Sequence, residues 1–386
     1  MKIVHILFDD YPYLSSWGYQ ENKMAEIQVQ NGDQVTIISG LYVPTVLKGY
    51  IKEEELGPTE GTDMYGVKII RLRIGNKKFE FINRKIKRFK GLYNELVAEA
   101  PDILFVHDIH AVGIFDVKKY IKDHKGCRCF ADIHVNYTNS GKNFISRYIL
   151  HRIFYRTIIS LNKNIFESIY YLNEDSRRFA RKEYGIKNNL EFLPLGGTMI
   201  DLSYKEIKKK EYRISNKLPG NTTIFLHSGK LNQSKKSLEL IKAFSKIHND
   251  HFLLIIIGKI SEEIKESFME IIRDDKRIKY LGWKSAKELN EYLEIADVYL
   301  QPGTPSITAH EAMCKGCATM LNDSNGYYKS FIPEKAAMYI NTDNDIYKFL
   351  NEINQNSHIV DIYKENGYQL ASEIFDYKMQ VQYLTK

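Results

Sequence analysis

The sequence predicts an α/β protein of two domains, each a parallel sheet with helices on both faces. Three observations carry this reading. Short apolar runs that read as buried strands alternate with helical patterns along nearly the whole length. The chain has 386 residues, too many for one ordinary core. The alternation starts afresh at Thr223, after a lysine-rich stretch, Tyr204 to Lys217, that reads as the connection between domains.

The first half opens with a buried strand at 3–8, a loop containing Gly18, and a helix from Glu21 to Gln30. Asn31-Gly32 supplies the left-handed stop that helix ends favour, and strand 34–39 completes a β-α-β unit. The first turn holds no G-x-G-x-x-G or Walker loop, which argues against a dinucleotide or ATP site there. Residues 41–66, with Gly57-Pro58 and Gly61, read as loop-rich. A strand at 67–73, a helix at 83–99, a strand at 103–107, a helix at 111–122 and a strand at 128–133 follow. Tyr170 to Tyr184 reads as a strand end and helix closed by Gly185, and strand 190–193 runs into Pro194-Leu195-Gly196-Gly197.

The second half begins with the strand around Ile224-Phe225-Leu226 and the loop 228–236. Leu238, Leu240, Ile241, Ala243, Phe244 and Ile247 then recur at helical spacing. Strands at 252–257, 278–281, 297–300 and 317–321 alternate with helices at 261–274, 285–294 and 308–316. Residues 343–386 read as mostly helical, with Tyr377 to Leu384 returning to the first domain. The expected domains are 1–200, joined by a helix at about 372–386, and 201–371.

Composition narrows the class. At 44% hydrophobic and 27% charged, the chain has a soluble globular balance. Its longest apolar run, Phe252 to Ile257, is far too short to span a bilayer. The first strand reaches Asp9-Asp10 too soon for a signal peptide, and four cysteines give no disulfide framework; both point to the cytoplasm. Cys127-x-Cys129 and Cys314-x-x-Cys317 fall in or beside a strand and a helix end, and read as thiols, not zinc half-sites; no metal is expected.

The net charge of +7 is unevenly spread. Arg71, Arg73, Lys77, Lys78, Arg84, Lys85, Lys87, Arg88 and Lys90 are interleaved with Ile74, Phe79, Phe81, Ile82, Ile86 and Phe89. A second basic-aromatic segment runs from Arg147 to Arg156. Such runs are either solvated helix faces or contacts to an anionic membrane surface, and the aromatic neighbours suit the membrane interface. No nucleic-acid-binding module is recognisable.

Two strand-loop-helix turns stand out. One is basic, Ser228-Gly229-Lys230-Leu231-Asn232-Gln233-Ser234-Lys235-Lys236; the other, Gln301-Pro302-Gly303-Thr304-Pro305-Ser306, leads into a helix carrying Glu311. At the carboxyl ends of a parallel sheet they face one ligand position, where open α/β sheets bind nucleotides. In the first half, His107 and His134 end two strands, with Asp108 beside the first. A lone histidine is usually structural, but two at one sheet edge with a carboxylate point to a site. The polar, aromatic run Asn136 to Gly141 suits a sugar.

These residues resemble the retaining glycosyltransferases of family 4. The resemblance covers the first β-α-β unit, Val106-His107-Asp108, Asp132-Ile133-His134, Leu193-Pro194-Leu195-Gly196 and residues 223–321. Its most specific part is Gly229-Lys230 with Lys235, followed by Lys242-Ala243-Phe244. It implies the GT-B fold, two facing Rossmann-like domains with a deep cleft between them. It also implies a nucleoside-diphosphate sugar of UDP or GDP type as donor substrate, with no cofactor.

By the same resemblance, Gly229, Lys230 and Lys235 hold the donor diphosphate, and Lys230 and Lys235 stabilise the charge that develops as it leaves. Glu311 matches the second glutamate of the family's E-x7-E signature and would take the ribose hydroxyls. Gly303 stands where the first glutamate would be, so the sugar contact lacks its usual carboxylate. Backbone N–H groups of Ser306, Ile307 and Thr308 would hold phosphate or sugar oxygens instead. Gly282 and Trp283 match the segment that meets the base, with Trp283 either stacking there or packing in the core. His134 matches the histidine that contacts the donor sugar at the reacting centre. His107, Asp108, Gly18 and Tyr19, with Trp17, match the loops that approach sugar, phosphate and acceptor.

The implied reaction is metal-independent transfer with retention, the leaving phosphate taking the acceptor proton. The acceptor would be a glycan or polyprenyl-linked glycan at the cytoplasmic face of the membrane, in surface-polysaccharide assembly. Two rivals stay open: a non-catalytic GT-B subunit serving a partner enzyme, which the missing glutamate favours, and a sugar-nucleotide epimerase.

Overall fold

In the computed structural model, which describes residues 1–8, 12–15, 18–41, 56–74, 80–323 and 326–385, the chain divides into two units. Met1–Pro194 with Val381–Lys386 forms the first and Leu195–Gln380 the second.

The sheet of the first unit contains β1 (Lys2–Leu7), β2 (Gln34–Gly40), β3 (Glu60–Thr62), β4 (Lys68–Leu72), β5 (Ile103–His107), β6 (Arg128–Ile133), β7 (Ser168–Tyr171) and β8 (Leu190–Phe192). Their order is β3-β4-β2-β1-β5-β6-β7-β8. Pairing is parallel throughout except for β3, which runs antiparallel to β4. The inner strands are mostly apolar runs because helices cover both faces. The strand order turns at β1 and β5, where Leu7 lies beside His107.

The second sheet contains β9 (Thr223–Ser228), β10 (Phe252–Ile257), β11 (Ile278–Tyr280), β12 (Val298–Gln301), β13 (Ala318–Asn322) and β14 (Met338–Ile340). The order β11-β10-β9-β12-β13-β14, all parallel, is the doubly wound one, with its switch point between β9 and β12. Alternate residues feed opposite cores. Phe225 packs with Phe244 and Phe252 on one side, while Ile224 and Leu226 pack with Tyr299, Ala309 and Met313 on the other.

Three expectations are corrected. The helix expected at 83–99 is two helices, Glu80–Ile86 and Leu92–Glu99. The chain breaks where Lys87 and Gly91 take left-handed conformations and Phe89 turns into the core. The supposed connector at 204–217 is a helix, Leu202–Ser215, that belongs to the second unit. Asp201 caps it by accepting the N–H groups of Ser203 and Tyr204. Two of its four lysines face inward: Lys205 Nζ donates to the Lys315 carbonyl at 2.6 Å, and Lys209 pairs with buried Asp297 at 2.8 Å.

The third correction concerns the basic stretches. Arg71 and Lys87 are buried, Arg71 donating to the Pro58 and Tyr13 carbonyls, so this run is not one solvated surface. Lys77, Lys78 and Phe79 lie outside the described residues. Residues 145–162 are helical, wound as a wide π-helix over Ile145–Tyr155. Arg147 and Arg152 turn inward to the buried Glu183 carboxylate, at 3.0 and 2.9 Å. The outward face is largely apolar instead, with Ile145, Ile149, Ile153 and Leu161 each more than half exposed and Arg156 exposed among them. Among the described residues no helix is long and apolar enough to cross a membrane. Cys127, Cys129, Cys314 and Cys317 are buried free thiols.

Candidate functional site

In the second unit the turns after β9 and β10 meet backbone to backbone. Gly229 and Gly258 both have positive φ, and a Cβ on Gly258 would fall 1.8 Å from the Gly229 carbonyl oxygen. Leu231, fully buried, anchors the first turn, leaving Lys230 exposed at its tip. Asn232 Oδ1 accepts the Lys235 N–H at 3.0 Å and folds the loop back.

That fold brings the loops on either side of the switch point together. Lys235 Nζ donates to the Thr304 and Pro305 carbonyls at 2.8 and 3.1 Å, and the Thr304 N–H donates to the Ser234 carbonyl at 2.9 Å. Burial lowers the Lys235 pKa to about 8. A Cβ on Gly303 would lie 2.2 Å from Ser234 O and 2.4 Å from Lys235 Cα. The position of the family's first glutamate is therefore filled by the neighbouring loop's backbone.

A buried polar network supports this arrangement. Gln301 Nε2 donates to the Thr304 carbonyl at 2.6 Å, and Tyr299 Oη donates to Gln301 Oε1 at 3.1 Å. His227 bridges the Leu300 carbonyl and Ser237 Oγ at 2.8 and 2.9 Å, and burial pushes its pKa down to about 4.

Two of the backbone donors expected to face a ligand are already engaged. The Ser306 N–H donates to Tyr328 Oη at 2.8 Å, and the Thr308 N–H lies 3.4 Å from Ser306 Oγ. The helix that follows, Thr308–Cys314, is only seven residues long, so it adds little dipole. Glu311 Oε2 accepts the Thr198 N–H at 3.1 Å, and its other oxygen lies 3.5 Å from Lys315 Nζ. Ile307 is partly exposed beside it. Trp283 is 74% exposed, which removes the core-packing reading. It follows Gly282, whose φ is +70° and whose carbonyl accepts the Gly258 N–H at 2.8 Å.

In the first unit the strand ends gather a buried polar cluster. His107 Nδ1 lies 2.8 Å and His134 Nε2 3.1 Å from the same oxygen, Asp132 Oδ2. The other Asp132 oxygen accepts the Asp108 N–H at 3.0 Å, and Asp108 Oδ1 accepts the His134 N–H at 3.0 Å. These bonds hold Asp108 in a left-handed conformation, φ +64°, that a side chain seldom adopts. Behind His107, His5 Nδ1 lies 3.0 Å from His107 Nε2, and His5 Nε2 2.7 Å from Gln28 Oε1.

His5, His107 and Asp132 are buried, whereas the His134 side chain is 29% exposed. Burial drives the His5 pKa down to about 3. Burial opposes the charged form of His107 too, but the Asp132 carboxylate outweighs it and raises that pKa. Burial likewise opposes the Asp132 carboxylate, and the His134 and His107 rings overcome it, holding its pKa well below the usual range. The donor atoms of His107, Asp132 and His134 lie within 4.8 Å of one another, a spacing a cation could use. Both rings sit at hydrogen-bond distance from one oxygen, which accounts for the cluster as a hydrogen-bonded one. Gly18 and Tyr19 are exposed, and Trp17 lies outside the described residues.

Sequence reasoning passed over His5 and Tyr328, and named Asp132 and Gln301 without giving either a role of its own. His5 and Asp132 left a signal, since each interrupts a strand that otherwise reads as buried and apolar.

Residues 208–369 match the family model for glycosyl transferases group 1. No curated protein matches the chain by sequence. Among solved structures, the chain is similar to sucrose-phosphate synthase from Thermosynechococcus elongatus, at 12% identity and a TM-score of 0.66 over 100% of this chain and 98% of that one. It is also similar to HepE from Anabaena in complex with UDP, at 12% identity and TM-score 0.64, covering 100% and 98%. WaaG, a glycosyltransferase involved in lipopolysaccharide biosynthesis, matches at 14% identity and TM-score 0.60, covering 99% of each chain. Residues 208–369 thus carry the pattern of the glycosyl transferases group 1, and the chain as a whole has the GT-B fold.

Proposed function

We propose that the protein transfers a sugar, with retention and without a metal, from a nucleoside-diphosphate sugar to a glycan or polyprenyl-linked glycan in surface-polysaccharide assembly. The observation that carries this is the pair of loops flanking the switch point of the second sheet. One presents Lys230 and Lys235, and the other leads to Glu311. Two cations on one loop suit a diphosphate whose charge grows as it leaves. A carboxylate at the start of the facing helix suits ribose hydroxyls. UDP is the first nucleotide to try, because HepE has been solved with UDP and with UDP-glucose. In the first unit, His134 is the partly exposed member of its cluster and so the one open to a sugar. Asp343-Asn344-Asp345 has the pattern of a metal-binding Asp-x-Asp, but Asp345 is spent on a helix start, accepting the Thr342 N–H at 2.9 Å.

The test is thermal melting against UDP, GDP, ADP and CMP. One nucleoside diphosphate should raise the melting temperature by mass action on the folded state. Lys230→Ala and Glu311→Ala should each lose most of the shift. For a charge-assisted contact that loss corresponds to about 1.5–3 kcal/mol, roughly ten- to a hundredfold or more in affinity. A second reading, a non-catalytic subunit, is favoured by the filled position at Gly303. No shift with any of the nucleotides would select it, whereas donor turnover without any acceptor would select the epimerase reading.

A further inference from the structure

We propose that Asp132 is the positioning residue for His134, and that the buried His5–His107 pair supplies the counter-charge that lets Asp132 do this. The inference rests on the proposed role of His134 at the donor sugar.

The hydrogen-bond pattern fixes the protons one by one. A carboxylate only accepts, so the nitrogens facing Asp132 Oδ2, His134 Nε2 and His107 Nδ1, both carry protons. Gln28 presents its carbonyl oxygen to His5 Nε2, so that nitrogen is the protonated one. A neutral His5 then offers a lone pair at Nδ1, and His107 Nε2, 3.0 Å away, must donate to it. His107 therefore carries two protons and one positive charge.

Charge balance follows from burial. Asp132 has no exposed surface, and an isolated carboxylate there would be prohibitively costly. With His107 as the cation, the carboxylate is compensated from inside the sheet. Its bond to His134 is then free to orient the ring and fix its Nε2–H tautomer without also charging it. Were His107 neutral, the compensating charge would have to sit on His134, the ring of this cluster that reaches the surface. Asp108 completes the hold by accepting the His134 backbone N–H, so ring and backbone are fixed from two sides. Among the described residues the cluster also faces Glu21 on the helix Gln20–Gln30, which favours the His107 cation, and His110, which lies 3.5 Å from Asp108 and is bonded to Lys87.

The arrangement can be read directly on the full-length protein labelled with 15N-histidine, resonances being assigned by His134→Ala and His107→Gln. At pH 7.5 the imidazole nitrogen shifts should show His107 doubly protonated and His134 neutral with its proton on Nε2. A tautomer mixture at His134, or a neutral His107, would overturn the proposal, and the unsubstituted protein alone decides this. The second arm follows UDP release from UDP-glucose in the presence of a polyprenyl-linked glycan acceptor for Asp132→Asn, His134→Ala and the double variant, each first checked by melting. Asp132→Asn should lower kcat on the order of a hundredfold, as misplacement of a reacting group does, with KM little changed. The double variant should be no slower than His134→Ala alone, because Asp132 acts through that ring. Losses that multiply would mean Asp132 is merely structural. If the unsubstituted protein neither binds nor turns over UDP-glucose, the functional reading is what fails, and the nitrogen spectra still decide the Asp132–His134 link.

Discussion

At Gly303 the backbone leaves no room for any side chain, so the missing glutamate of the signature is more than a lost functional group. A Cβ there would meet Ser234 O and Lys235 Cα at 2.2 and 2.4 Å, and backbone atoms cannot give way as a flexible side chain can. Gly303→Ala must push the 301–305 loop off the Lys235 loop and break the bonds from Lys235 Nζ to Thr304 and Pro305. The expected cost is about 1–3 kcal/mol, typical of overpacking, seen as a lower melting temperature together with a smaller UDP-induced shift. Gly303→Glu, which restores the family residue, should do worse. An alanine variant as stable as the parent, with a larger nucleotide shift, would mean that the two loops part readily and that the site is larger than it looks. The same reasoning separates the two lysines. Lys230 stands exposed and is available to a ligand, whereas Lys235 is held by carbonyls and acts from a fixed position.

Among the elements, the helix over residues 145–162 shows how far charge counting can mislead. Its arginines read as a basic face, yet Arg147 and Arg152 are drawn inward by Glu183, and isoleucines remain outside. A membrane contact made by this helix would come from apolar insertion more than from cationic attraction. Binding to anionic vesicles should therefore survive raised salt, and Ile149→Glu with Ile153→Glu should weaken it about tenfold or more per residue, each isoleucine contributing about 1.5–3 kcal/mol when fully buried. Vesicle sedimentation checks this; no binding at low salt would remove the membrane from the proposed function. Most elements were legible in the sequence because strand runs such as Phe252–Ile257 and helical spacing such as Leu240, Ile241 and Phe244 are local signals. The helix Leu202–Ser215 was not, since a lysine-rich pattern reads as solvated unless its buried partners are known. Lys205 and Lys209 find theirs at Lys315 and Asp297, far along the chain. The break at 87–91 was hidden for a similar reason: Lys87 turns inward to His110, a pairing no periodicity announces.

For the whole molecule, the candidate residues were legible where they follow strand ends and illegible where they depend on pairings the fold creates. His107, His134, Lys235 and Glu311 each close a strand or follow one, a position readable in one dimension. Asp132 to His107, His5 to Gln28 and Tyr328 to Ser306 are contacts that only the fold creates. Several of these cross-sheet partners are histidines kept neutral by burial, and this has a consequence for stability. His5 and His151 are held at about 3, and His227 and His310 at about 4, against 6.5 for a free histidine. Between 6.5 and those values the unfolded chain binds protons that the folded one refuses. The stability these groups contribute is complete above pH 6.5 and is lost as pH falls, by up to about 1.4 kcal/mol per pH unit for each histidine. His107, whose folded pKa is raised, works in the opposite sense above 6.5, where stability falls as pH rises through its folded value. The depressed carboxylates Asp108, Asp132 and Asp297 add their losses only below about pH 4. Scanning calorimetry from pH 7.5 to 4.5 should thus show the melting temperature falling steadily from about pH 6.5, well before carboxylates titrate. Because each unit holds two of these histidines, both should respond. A melting temperature constant to pH 5 would mean that water reaches these rings in the native state, and the buried networks that hold the loops at both sheet edges would have to be looser than the hydrogen bonds described.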